Sequence, residues 1–153
     1  MKVLVVYDSM YGNTEQIAKA IGSACKASVL HASEVKVDQL RDLDVLIVGS
    51  ATQAFQPLKA MKTFLKEIPQ GALKTVKVAS FDTRMDIAAE NNRLLTVMAK
   101  LFGYAAQPIS ASLAKKGGEV AASPMGFIVN DKEGPLKDGE IERALMWAKQ
   151  VIS

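Results

Sequence analysis

The sequence predicts a single α/β domain, residues 1–153, with a parallel sheet and helices on both faces. Three observations predict it. Apolar runs of strand length recur at Val3–Tyr7, Val45–Gly49 and Val76–Phe81. Runs of that kind, rich in Val and Ile, suit strands buried on both faces of a parallel sheet. Between them lie segments whose apolar residues fall at helical spacing, and a polar turn follows each of the three strands.

The opening stretch sets the pattern. Val3–Tyr7 reads as strand, Asp8 and Ser9 break it, and Gly12 sits in a short polar turn. Ile17, Ala18, Ile21, Ala24 and Cys25 then mark one face of a helix that ends between Gly22 and Lys26. The turn offers hydroxyls at Ser9 and Thr14 and an amide at Asn13, with no Lys or Arg. Its backbone N–H groups, with those of the first helical turn, make an anion site. A site built from neutral donors suits a cofactor monophosphate better than a metal-bound triphosphate, which calls for the P-loop lysine.

Ser28–Ala32 is a second, short strand, and Val37–Leu43 connects it to the third. His31, the single histidine, reads as a strand-end residue with no serine or cysteine partner, because Cys25 lies on a buried helix face. After Val45–Gly49 comes the turn Ser50, Ala51, Thr52, Gln53, Ala54, Phe55, Gln56. Pro57 suits the first position of a helix. Leu58, Met61, Leu65 and Ile68 give that helix one buried stripe.

The fourth strand, Val76–Phe81, leads into the turn Asp82, Thr83, Arg84. Ile87–Phe102 reads as helix with an ambiguous NNRLLTV segment, and Gly103–Gln107 breaks it. Pro108 starts a further helix over Ile109–Lys116, which stops at Gly117 and Gly118. The fifth strand opens at Glu119–Ala122, is interrupted by Pro124, and resumes over Gly126–Val129. A polar loop, Asp131–Gly139, precedes the last helix, which runs from near Asp138 to Ile152 with Ile141, Leu145, Ala148 and Ile152 inward. Ligands of such sheets sit beyond the carboxyl ends of the strands, where strand order reverses. In the order 2-1-3-4-5 the first, third and fourth strands are neighbours, so the three polar turns converge on one edge.

Composition excludes several classes. The 153 residues are 49% apolar, which favours a packed globule. The apolar runs are too short to span a bilayer, no secretory leader is read at the N-terminus, and one cysteine makes no internal disulfide. A cytoplasmic protein is expected. The net charge is +3, with lysines spread over several helices and no aromatic-interleaved basic patch, so neither nucleic acid nor membrane is an expected partner. A receiver domain needs a phosphorylatable Asp after the third strand, where this chain has Gly49 and Ser50.

Val5, Val6, Tyr7, Ser9, Gly12, Thr14, Ala18 and Ile21 meet the opening pattern of the flavodoxin family. The chain resembles that family along its whole length. The resemblance implies a flavodoxin-like three-layer sandwich with a five-stranded parallel sheet in order 2-1-3-4-5. It also implies flavin mononucleotide (FMN) as cofactor. Ser9, Met10, Tyr11, Gly12, Asn13 and Thr14 would wrap its phosphate. Ser50, Ala51, Thr52, Gln53, Ala54 and Phe55 would line one side of the ribityl chain and ring, and Phe81, Asp82, Thr83 and Arg84 the other.

Electron-transfer members sandwich the ring between a Trp and a Tyr and are strongly acidic. Here Gln53 and Met85 take those places and the chain is basic, while Trp147 reads as packing. The implied function is electron transfer between redox partner proteins, as a monomer without a catalytic residue or metal of its own. Two alternatives are a small NAD(P)H-dependent flavin or quinone reductase, and a domain that has lost its flavin and serves as an interaction module. Arg84 and Lys59 near the ring would raise the potential of the flavin's last reduction step, with Asp82 offsetting part of this.

Overall fold

The computed structural model describes residues 1–86 and 93–153, with Phe102 described by its backbone alone. The elements are β1 (Val3–Asp8), α1 (Asn13–Cys25), β2 (Ser28–His31), β3 (Val45–Gln53), β4 (Gln56–Pro57), α2 (Lys59–Glu67), β5 (Lys77–Met85), α3 (Arg93–Phe102), α4 (Ala106–Lys115), β6 (Glu119–Val120), β7 (Met125–Val129) and α5 (Glu140–Ile152). Two short 3-10 turns, Ala32–Glu34 and Val37–Leu40, link β2 to β3.

The sheet runs β2-β1-β3-β5-β6, with β7 also parallel to β5. β6 pairs the start of β5 and β7 its end, so together they are the expected interrupted fifth strand, and the order is 2-1-3-4-5. Alternation along the strands divides the core in two. Leu4, Val6, Leu46, Val48 and Val78 face Met61, Leu65, Ile109 and Leu113 of α2 and α4. Val3, Val5, Val45, Ile47 and Phe81 face Ile17 and Ile21 of α1 and Trp147 of α5. Trp147 is packing, as expected: its ring meets Phe81 and Phe127 edge to face.

Several boundaries differ from the sequence reading, each for a physical reason. β3 and β5 do not stop at Gly49 and Phe81 but continue through the polar residues to Gln53 and Met85. The polar stretches Ser50–Gln53 and Asp82–Arg84 are therefore strand, because β4 and β7 supply backbone partners there. Pro57 does not start a helix; it lies in β4 opposite Thr52, an edge position that needs no N–H. Leu58 precedes α2 instead. Pro108 is the third residue of α4 rather than its start, still within the first turn, where a missing N–H costs nothing. The buried face of α5 is Ala144, Trp147, Ala148 and Val151, with Ile141, Leu145 and Ile152 half-buried at its margin. The expected helix over Ile87–Phe102 is helix from Arg93; its first part, 87–92, lies outside the described residues.

Candidate functional site

The carboxyl ends of β1, β3 and β5 meet three helix beginnings. Two of these are occupied by neighbouring strands. Ser50 Oγ accepts from the Leu58 N–H at 3.0 Å, and Asp8 Oδ2 from the Met61 N–H at 3.1 Å, so β3 and β1 hold the start of α2. Thr52 Oγ1 accepts from Ala105 N–H at 3.2 Å and Asp82 Oδ2 from Ala106 N–H at 2.9 Å, which holds the start of α4. The third beginning differs. Among the described residues no side chain caps α1. Gly12 stands at its head with φ 92°, a left-handed conformation that suits glycine, and a Cβ there would meet nothing within 4 Å. Ser9 Oγ accepts the Gly12 N–H at 3.0 Å, which shapes the turn.

A cleft of about 130 Å³ opens at this point. Met10, Tyr11, Asn13 and Thr14 line it from the turn, Ala51, Thr52 and Gln53 from β3, and Thr83, Arg84 and Met85 from β5. The buried Thr14 and Thr83 hydroxyls pair at 2.7 Å and tie the first loop to the third. An adjoining hollow of about 240 Å³ is bounded by Ala54, Phe55, Arg84, Met85, Leu95 and Tyr104. Thus the three expected stretches do converge, but not every side chain in them reaches the cleft. Phe81 is wholly buried in the α1–α5 core, and Ser50 lies beneath the surface, holding Leu58 and Ala51.

Asp82 is likewise wholly buried, with 0% exposure. Its carboxylate accepts two bonds from Arg84, Nε and Nη2, each at 2.7 Å. Burial pushes the Asp82 carboxyl above its ordinary range, and the Arg84 charge and the Ala106 N–H pull it back. Arg84 therefore presents a compensated charge. Its guanidinium lies 3.7 Å from the centre of the Tyr104 ring, a cation–π contact, and against Gly126, where any Cβ would strike it at 2.3 Å.

Leu58, Val129 and Lys132 in the cleft, and Leu95 and Tyr104 in the hollow, were not expected from the sequence. Lys132 and Val129 line the cleft from the last third of the chain. The loop carrying Lys132 crosses α1, and Asn13 Nδ2 donates to the Glu133 carbonyl at 3.1 Å. So a cation does reach a site whose own turn has none. Tyr104 stands 6.3 Å from Phe55 between ring centres, giving the hollow two aromatic walls where Gln53 and Met85 offered none. Its phenol is raised by burial, with Arg84 opposing. The one local signal for Tyr104 was the break at Gly103.

His31 does have a serine partner, contrary to expectation. Its Nδ1 lies 2.7 Å from Ser33 Oγ and accepts the Ser33 N–H at 3.1 Å, while Nε2 lies 3.1 Å from Asp8 Oδ1. The serine partner comes from the 3-10 turn directly after β2. Nδ1 is thereby committed to capping that turn, which supports the strand-end role. Beside it, Tyr7 donates to Glu15 at 2.6 Å; that bond, chiefly, raises the phenol to about 12 and lowers the Glu15 carboxyl.

The model of the flavodoxin domain matches residues 4–128. The chain belongs to the flavodoxin family. Solved structures carry the flavodoxin fold over the whole chain. A flavodoxin from the domain Archaea superposes with a TM-score of 0.74 at 23% identity, covering 100% of both chains. Flavodoxin 1 from Bacillus cereus gives 0.75 at 18% identity, covering 99% of this chain and 97% of that one. A flavodoxin, WrbA-like protein from Agrobacterium tumefaciens gives 0.72 at 18%, covering 98% and 94%. No curated protein matches by sequence. The flavodoxin family implies a flavin cofactor and an electron-transfer role. Among the described residues, no helix of this chain is long and apolar enough to cross a membrane.

Proposed function

We propose that this protein binds FMN and carries electrons between redox partner proteins in the cytoplasm. The uncapped start of α1 supports the reading most directly. Strand side chains hold the first amides of α2 and α4, whereas no side chain caps α1, whose first residues Asn13 and Thr14 line the cleft. Helix-terminal N–H groups and the helix dipole favour an anion there. The donors fit a monophosphate: the amides of the Gly12 turn, the Ser9 and Thr14 hydroxyls and Lys132. Beyond them Ala51, Leu58, Met85 and Val129 give the cleft apolar walls. Phe55 and Tyr104 add aromatic surface in the adjoining hollow. These residues fit a phosphorylated, flat, largely apolar cofactor.

When bound, the flavin supplies the one- and two-electron chemistry, and the protein supplies binding, orientation and electrostatics. The Thr14–Thr83 pair fixes the first loop against the third. Asp82 fixes Arg84, and Arg84 with Gly126 fixes Tyr104.

The test is a titration of the purified protein with FMN and with riboflavin, followed by flavin fluorescence. FMN should bind more tightly, and Ser9→Ala with Thr14→Val should remove most of the difference without altering the far-ultraviolet spectrum. Equal affinity for the two flavins would overturn the phosphate assignment.

A further inference from the structure

A block of positive charge is gathered on one face of this chain. α2 carries Lys59, Lys62 and Lys66 against a single acid, Glu67 at its end, and α4 ends at Lys115 and Lys116. No acidic residue occurs from Val45 to Lys66 or from Gly103 to Gly118. On the opposite face, α1 and α5 balance Glu15, Glu140 and Glu142 with Lys19, Arg143 and Lys149. Between α2 and α4 runs an open groove of about 410 Å³, with Leu65 and Pro57 among its lining and Lys62, Lys66, Lys115 and Lys116 around it. Lys62, Lys66 and Lys115 are exposed.

The groove and the candidate flavin site share the β3–β4 hairpin. Gln56 and Pro57 line the groove, and they pair across the hairpin with Gln53 and Thr52, which line the cleft. We propose that this groove is the docking surface for a protein partner with an acidic face. Lysines around an apolar strip would steer such a partner and orient it, so that it rests against the hairpin beside the cleft. The groove residues include no aromatic on which a base could stack and no arginine to fork onto a phosphate, which favours protein over nucleic acid. The purpose of the surface rests on the electron-carrier reading; its test needs no flavin.

The test uses the whole protein and three labelled probes: a synthetic helical peptide with a Glu face and a Leu strip, its Lys counterpart, and a short single-stranded RNA. Binding is followed by fluorescence anisotropy at low and moderate salt. The acidic peptide should bind and weaken as salt rises. The triple Lys62→Glu, Lys66→Glu, Lys115→Glu should bind it about tenfold or more weakly. Lys19→Glu, Lys137→Glu, Lys149→Glu changes the net charge equally on other surfaces and should stay within about twofold. A Gln version of the first triple gives a smaller loss and guards against misfolding. Equal loss in both Glu triples would show that net charge alone acts, and would overturn the site. So would the absence of acidic-peptide binding at low salt. Tighter binding of the RNA, lost in the same triple, would reassign the groove to nucleic acid.

Discussion

Replacing Arg84 with Ala removes the partner of a wholly buried carboxylate, and the consequence depends on pH. Asp82 has 0% exposure and Arg84 22% for its side chain, with two bonds of 2.7 Å between them. Breaking a buried pair from one side costs about 3–5 kcal/mol, because the remaining charge is left unpaired. The Ala106 N–H still reaches Asp82, so the lower end, about 3 kcal/mol, is expected near pH 7.5. At this chain length each kcal/mol lowers the melting temperature by about 2–4 °C, giving a fall of about 6–12 °C.

The carboxyl of Asp82 already sits above its ordinary value through burial, and losing Arg84 raises it further. A group raised on folding contributes stability below its unfolded value, near 3.8, and loses it as pH rises through the folded value. The variant should thus regain stability on acidification, with a smaller deficit against wild type near pH 5 than near pH 7.5. The part that remains at acid pH is the lost contact with Tyr104. Thermal unfolding followed by circular dichroism at both pH values measures this. Asp82→Asn in the Arg84→Ala background removes the charge and should restore much of the loss at neutral pH. An equal deficit at both pH values, with no restoration by Asp82→Asn, refutes the argument.

Three further outcomes are expected. Lys132→Ala should weaken FMN by about twofold to fivefold, the worth of an exposed ion pair, and leave riboflavin unchanged in the same fluorescence titration. Ala54 and Phe55 both have positive φ, 49° and 64°, at the centre of the β3–β4 hairpin, so Ala54→Asn with Phe55→Gly should raise stability by about 1–2 kcal/mol in urea unfolding. Tyr7 should ionise at about 12 in a spectrophotometric titration and fall toward 10 in Glu15→Gln. Its contribution to stability is present below 10 and is lost as pH rises through about 12.

The parts of the site that were legible in the sequence are those made by neighbours along the chain. Val3–Tyr7, the Gly12 turn and the Ile17 stripe are local signals, and they describe the first loop almost completely. The apolar runs also located β3 and β5, but only their cores. Beyond Gly49 and Phe81 the residues are polar because they hold helix starts and one another, and periodicity does not distinguish that from a turn. The β3–β4 hairpin was hidden because Ala54 and Phe55 carry no Gly or Asn signature for positive φ. Tyr104 and Lys132 reach the site through packing between distant segments, which no local pattern records. Arg84 was expected to act on the ring with Asp82 offsetting part of its charge; Asp82, two positions earlier on the same side of the strand, instead holds it through two bonds.

The bond from Asn13 to the Glu133 carbonyl joins residues 120 positions apart. It sets an order of assembly during synthesis. The turn at the head of α1 is made 120 residues before the loop that crosses it. At about 5–20 residues per second, the ribosome takes roughly 6–24 s to make the interval between them. Through that time the head of α1 lacks Lys132 and the loop that crosses it. The Gly12 turn therefore emerges well before the loop that lies against it. The cleft at the head of α1 is thus closed only once Val129, Lys132 and Glu133 have been made.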